Sequence, residues 1–173
     1  AAETFELQNE LYPASTNYNS IGVLYSNAGA TDKAIEFYEK AIEENPHDKH
    51  AYANLGSTLL YKKPKQAKEY LQKALNIDPE HDIALIELGK IDKSEGNTVA
   101  AQVKFRKAYD LYLKQWKTNS LPKYAYGWFA TVAEELGENN FAKEIRTSAP
   151  KTESEAYYNK ENLSMTKTKA LTN

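Results

Sequence analysis

The chain has 173 residues, 22 basic and 24 acidic side chains, a formal net charge of −2 and no cysteine. That length suits one globular domain or a short repeat array, and the near balance of charge gives no field that would draw in nucleic acid or acidic lipid. The lack of thiols excludes disulfides, zinc–thiolate sites and thiol nucleophiles.

Prolines and glycines are few, six and seven, while Ala, Leu, Glu and Lys are plentiful, so the fold class expected is all-α. Residues 1–12 read as a helix with Phe5, Leu7 and Leu11 on one face. The stretch that follows carries Tyr18, Ile21, Gly22, Tyr25, Ala34, Tyr38, Ala41 and Pro46, and predicts helices near 16–28 and 31–44. The turn Asn27-Ala28-Gly29-Ala30-Thr31 offers a left-handed cap at Gly29 and an N-cap at Thr31. Glycine inside a helix costs roughly 1 kcal/mol against alanine, so Gly22 implies a close helix approach, with Ala34 and Ala41 keeping the facing stripe small.

The same marks return at Tyr52, Leu55 and Gly56, then one residue early at Ala67, Leu71, Ala74 and Pro79. This predicts helices near 49–61 and 64–76, with Pro64 in the first turn of the second. A third set comprises Leu85, Leu88, Gly89, Ala101, Phe105 and Ala108, with Asp92 where the second aromatic stood and Gly96-Asn97 as the turn. Phe105, Tyr109, Tyr112 and Trp116 share one helical face and extend that helix over about 98–117. Residues 121–149 hold a degenerate fourth set, with Tyr126, Phe129, Ala130, Ala133, Gly137, Ala142 and Ala149. Beyond Pro150 the composition turns polar, Thr152 and Glu155 form a potential capping box for a short helix, and residues after 164 read as frayed.

The offsets from Tyr18 to Pro46 resemble the tetratricopeptide repeat, a helix-turn-helix unit of roughly 34 residues. Their recurrence divides 1–149 into a partial repeat at 1–13, repeats at about 15–48, 49–81 and 82–120, and a degenerate one at 121–149, followed by the tail 150–173. Ala1, Phe5 and Pro13 precede Ala34, Tyr38 and Pro46 by 33 residues each. The chain is therefore expected to open on the second helix of a unit, as a piece of something longer or a processed product.

The resemblance implies a right-handed α-solenoid of antiparallel helix pairs that binds a protein or peptide segment without catalysis. In that family the first helices line a concave groove, through the second, fifth, ninth and twelfth places of each unit. These are Thr16, Asn19, Val23 and Ser26; His50, Ala53, Ser57 and Leu60; Ile83, Ile86, Lys90 and Lys93; and Tyr124, Gly127, Thr131 and Glu134. The partner-binding set expected is Asn19, Val23, His50, Ala53, Ser57, Ile83, Ile86, Lys90 and Tyr124, with two exposed isoleucines as apolar anchors and Lys90 meeting an acidic residue. Chaperone-binding members clamp a peptide's terminal carboxylate with Lys, Asn and Arg. The matching positions here, Asn19, Val23, Asn54, Ile83 and Glu87, agree only at Asn54, so a carboxylate clamp is not expected. Rival readings are a helical appendage of a larger serine-hydrolase-like or Hsp70-like protein, and a scaffold that forms homo-oligomers through exposed repeat ends.

Other constellations read as structural. Ser164 and Lys167 match S-x-x-K, with Tyr157 and Asn159 as a further partner, but stand in the wrong order in a polar tail. His47 and His50, and separately His81, fall in corresponding loops and offer too few ligands for a metal. Lys62, Lys63, Lys65 and Lys68 lack interleaved aromatics and read as a solvated turn rather than a nucleic-acid site. Of Tyr124, Tyr126, Trp128 and Phe129, most are expected in the core and at least one at the surface. Asn162 heads a glycosylation sequon that matters only in a eukaryotic secretory pathway. No cofactor, metal, nucleic-acid or membrane partner is expected. The compartment is left open, with a soluble, cytoplasmic chain as the expectation.

Overall fold

The computed structural model describes residues 15–150. The expected helix at 1–12, the polar tail with its capping box, Ser164 and Lys167, and the Asn162 sequon lie outside the described residues. Eight helices follow one another: α1 (Ser15–Asn27), α2 (Thr31–Glu44), α3 (Lys49–Leu59), α4 (Pro64–Ile77), α5 (Asp82–Ser94), α6 (Thr98–Lys117), α7 (Ala125–Glu135) and α8 (Asn139–Ser148). There is no strand among the described residues. Consecutive helices pair as four hairpins, and the all-α solenoid predicted from the repeat marks is the observed architecture.

The turns explain the register. Gly29 has φ 75°, its N–H donates to the Ser26 carbonyl (3.0 Å), and the Ala30 N–H donates to Tyr25 (2.9 Å). This pair of bonds satisfies carbonyls that the helix end leaves orphaned and needs a left-handed residue. It recurs at 96–97 and at 137–138. Thr31, expected to cap α2, is instead its first helical residue, and Ala30 occupies the cap without a side-chain bond. At α3 the cap is a strong one, because Asp48 accepts from the N–H groups of His50 and Ala51, both at 3.0 Å.

Gly22 does admit a close approach, but the intruder is an aromatic ring rather than the alanine stripe. A Cβ at Gly22 would stand 2.5 Å from the Tyr38 ring, one at Gly56 2.7 Å from Leu71, and one at Gly89 2.6 Å from Phe105. Each first helix thus leaves a gap for the large residue of its own second helix, while Ala34, Ala41, Ala67 and Ala74 fill the tight spaces beside it. In the fourth unit Arg146 stands in the place of Tyr38. It forms a bidentate pair with Glu134 outside the core, so no ring needs the gap, and Ala130 replaces the glycine.

The core runs the length of the array. Ile42, Leu60 and Tyr70 pack against both the first and second clusters of buried side chains, and Leu75 joins the second to the third. The third cluster is the largest, where Phe105, Tyr109 and Tyr112 of α6 meet Phe129 and Ala133 of α7 and Ile145 of α8. Trp116 closes it edge-on against Tyr126, Phe129 and Phe141. Each hairpin buries its apolar face against the next, as a repeat array requires.

Candidate functional site

The packing distinguishes an inner from an outer layer. The backbones of α1 and α3, α3 and α5, and α5 and α7 approach closely, whereas those of α2, α4, α6 and α8 stay further apart from one another. The first helices therefore form the inner wall, and the residues free on that wall are the candidate site.

The expected groove residues separate into two groups. Ala53 and Ile86 are wholly buried, at 0% exposure, because successive inner helices approach closely: Ala53 packs with Ala84 and Leu88 of α5, and Ile86 with side chains of α6 and α7. Ile86 belongs to the cluster with Phe105 and Phe129. The expectation of two exposed isoleucine anchors is thereby corrected: Ile83 keeps partial access and Ile86 has none. Val23 is 36% exposed and Tyr124 65%, and His50 is exposed, while Asn19, Ser57 and Lys90 are half-buried. Of the four aromatics near the fourth unit, Tyr124 is the one at the surface; Phe129 is core and Tyr126 and Trp128 pack partly against it.

Polar contacts tie the inner helices together. Asn54 Nδ2 donates to Asn19 Oδ1 (2.9 Å), joining α3 to α1. Lys90 Nζ lies 3.2 Å from Glu87 Oε1 and 4.8 Å from the centre of the Trp128 ring, so one ammonium bridges α5 and α7 through an ion pair and a cation–π contact. Lys93 pairs with Glu135 (2.6 Å) across the same two helices. Lys90, expected to meet an acidic residue, is thus already neutralised within the array, as is Lys93. Glu87 is 4% exposed, and its second oxygen is buried without a protein hydrogen-bond partner, as is Ser57 Oγ on the adjoining helix.

A second polar line runs along the edge where α3 and α5 begin. His81 Nε2 lies 3.1 Å from His50 Nδ1, His81 Nδ1 lies 3.8 Å from Asp82 Oδ1, and Tyr112 Oη donates to Asp82 Oδ2 (2.8 Å). Burial and the Asp82 charge hold the Tyr112 and Tyr124 phenols above the usual tyrosine range. The sequence grouped His47 with His50, but His50 reaches across a whole unit to His81 while His47 stays exposed. The signal was the repeat period itself, since loops one unit apart stack as neighbours. Among the described residues no group of three or more His, Asp or Glu side chains is placed to hold a metal. No described helix is long and apolar enough to cross a membrane. Of the turn lysines, Lys62 pairs with Asp32 and Lys68 with Glu95.

Comparison with known proteins fits this geometry. Tetratricopeptide-repeat profiles match residues 17–48 and 50–81, which are the first two hairpins. Residues 17–81 thus carry two tetratricopeptide repeats. The third and fourth hairpins extend the same solenoid beyond the matched repeats. The chain is 32% identical over 92 residues to BBSome complex member BBS4 of Bos taurus, covering 51% of this chain and 17% of that protein. It is 33% identical over 61 residues to photosystem I assembly protein Ycf3 of Synechococcus sp. (strain CC9605), covering 35% and 34%. The chain thus spans about a third or less of the length of these relatives. Among solved structures, MamA superposes with a TM-score of 0.56 at 20% identity, covering 86% of this chain and 84% of the other. The second tetratricopeptide domain of Spaghetti (RPAP3), bound to the HSP90 peptide SRMEEVD, gives 0.52 at 19% identity, covering 58% and 94%. These likenesses at low identity establish the fold.

Proposed function

We propose that the chain binds an extended or helical segment of another protein along the inner wall of α1, α3, α5 and α7, and that it does no chemistry itself. The observation that carries this reading is the state of the inner wall. Tyr124, Val23 and Ile83 keep access there although burying them elsewhere would aid the fold. Apolar side chains that keep access on this wall suit a segment bringing aliphatic side chains.

The chemistry of the segment differs from that of a chaperone tail. A carboxylate clamp needs cations at the places held by Val23, Ile83 and Glu87, and Glu87 brings a negative charge there instead. Lys90 and Lys93 are held by Glu87 and Glu135. A free acidic terminus such as that of the HSP90 peptide is therefore a poor ligand for this groove, and a segment with apolar side chains a better one. Nucleic acid and membrane play no part in this reading.

The test is retention of a partner by the immobilised chain, identified by mass spectrometry, with Tyr124→Ala and Ile83→Ala as variants. Each should weaken retention about tenfold, as truncated anchors commonly do, without moving the melting temperature. Undiminished retention by both variants would remove the site from the inner wall. Ester hydrolysis lost on Ser164→Ala would contradict the non-catalytic reading.

A further inference from the structure

The His50–His81 contact has a chemistry of its own. His81 is the residue preceding α5, its ring is 4% exposed, and the two ring centres lie 4.9 Å apart with one nitrogen of each facing the other at 3.1 Å. One of those nitrogens must carry the proton and the other a lone pair. The Asp82 carboxylate beside His81 Nδ1 favours a proton on that nitrogen. His81 Nε2 is then the acceptor and His50 Nδ1 the donor. A first added proton on the outer nitrogen of His50 leaves the bond in place. A second, on His81 Nε2, points one N–H at another and sets two cations side by side.

We propose that the His50–His81 pair is a proton-operated latch between the second and third units: it holds α3 against the start of α5 with up to one proton, and a second proton breaks it. Because α3 and α5 form the middle of the inner wall, this latch would regulate partner binding there, a consequence that rests on the function proposed above. The groups facing His81 come from every neighbouring element: Lys49 and His50 of α3, Asp78 after α4, and Asp82 of α5, which Tyr112 of α6 hydrogen-bonds in turn. Burial first, then the charge of His50, depress the His81 pKa, with Lys49 adding to them and Asp82 and Asp78 opposing. A recess of about 500 Å³ lined by His47, Lys49, His50 and Asp78 opens the His50 side of the pair to solvent.

The sign follows from linkage. The unfolded chain protonates His81 near the ordinary value of about 6.5, whereas the folded chain resists, so the unfolded state binds more protons in the interval below. Stability is full above that value, declines as pH falls below it, and levels off beneath the depressed folded pKa. The experiment is the melting temperature of the full chain between pH 7.5 and 5.5 for the wild type, for the double variant His50→Gln/His81→Gln, and for His47→Gln as a control outside the pair. The wild type and His47→Gln should lose about 2 to 4 °C more than the double variant over that range. Parallel curves for all three would overturn the proposal. Should the double variant fail to fold, imidazole NMR of the wild type decides: protonation of His81 that shifts the His50 ring signals is expected, and protonation of His81 that leaves them unmoved would overturn the proposal. Neither readout involves a partner, so failure of the groove reading is scored separately by the retention assay.

Discussion

Lys104 Nζ stands 2.5 Å from Asp92 Oδ2 across α5 and α6, at the two places where the first unit stacks Phe37 on Tyr25 with ring centres 5.4 Å apart. The third unit has replaced an aromatic contact by an ion pair whose acidic side chain is 10% exposed. The exchange keeps the two helices of the hairpin joined while changing what happens when one partner is lost.

Lys104→Met should therefore destabilise the chain by about 1 to 3 kcal/mol, because it leaves the Asp92 carboxylate buried and unpaired. Adding Asp92→Leu should return most of that loss. Urea unfolding of the two single variants and the double variant measures the coupling, and additive effects would show that the pair contributes nothing as a pair.

Glycines at different places in the repeat should respond in opposite directions. Gly56→Leu should cost roughly 1 to 3 kcal/mol or more through overpacking against Leu71, and Gly89→Leu the same against Phe105. Gly127→Ala should stabilise by about 0.5 to 1 kcal/mol, since it lies within α7 with nothing within 4 Å of a Cβ there. Thermal melts of the three variants compare them directly, and equal shifts would refute the assignment of Gly56 and Gly89 to the close contact.

The helix order, the hairpin turns and the long α6 were legible from the spacing of Gly, Ala and aromatic residues, because those offsets are the packing contacts of each hairpin. The partner of Gly22 was misread, since sequence shows that a glycine admits something without showing what: Tyr38 points at it and Ala34 packs beside it. The candidate site was legible only as a set of positions. Asn19, Val23, His50 and Tyr124 keep at least partial access, but Ala53 and Ile86, at the fifth place of their units, are sealed by the next inner helix, α5 for Ala53 and α7 for Ile86, a property of neighbouring units rather than of one. Pairings across units, such as His50 with His81 and Lys90 with Trp128, depend on that same stacking.

Acid should also act through Asp78, whose carboxyl is held below its ordinary range chiefly by the hydrogen bond from Lys49 at 2.7 Å. A depressed carboxylate stabilises above the unfolded value of about 3.9 and loses that contribution as pH falls through the folded one. Both side chains are about a third exposed, so solvent screening keeps the effect small. Lys49→Ala should flatten the decline in melting temperature below about pH 4, and an unchanged acid limb would show that the bond is not felt.

The most direct test of the central claim is to map a bound ligand on the array itself. A peptide selected from a display library against the full chain, titrated into isotope-labelled protein, should shift backbone amide signals along α1, α3, α5 and the start of α7, near Val23, His50, Ile83 and Tyr124. The outer faces of α2, α4 and α6, around Lys40, Gln72 and Gln102, should stay still. Shifts concentrated on those outer helices, with the inner wall unmoved, would contradict the account.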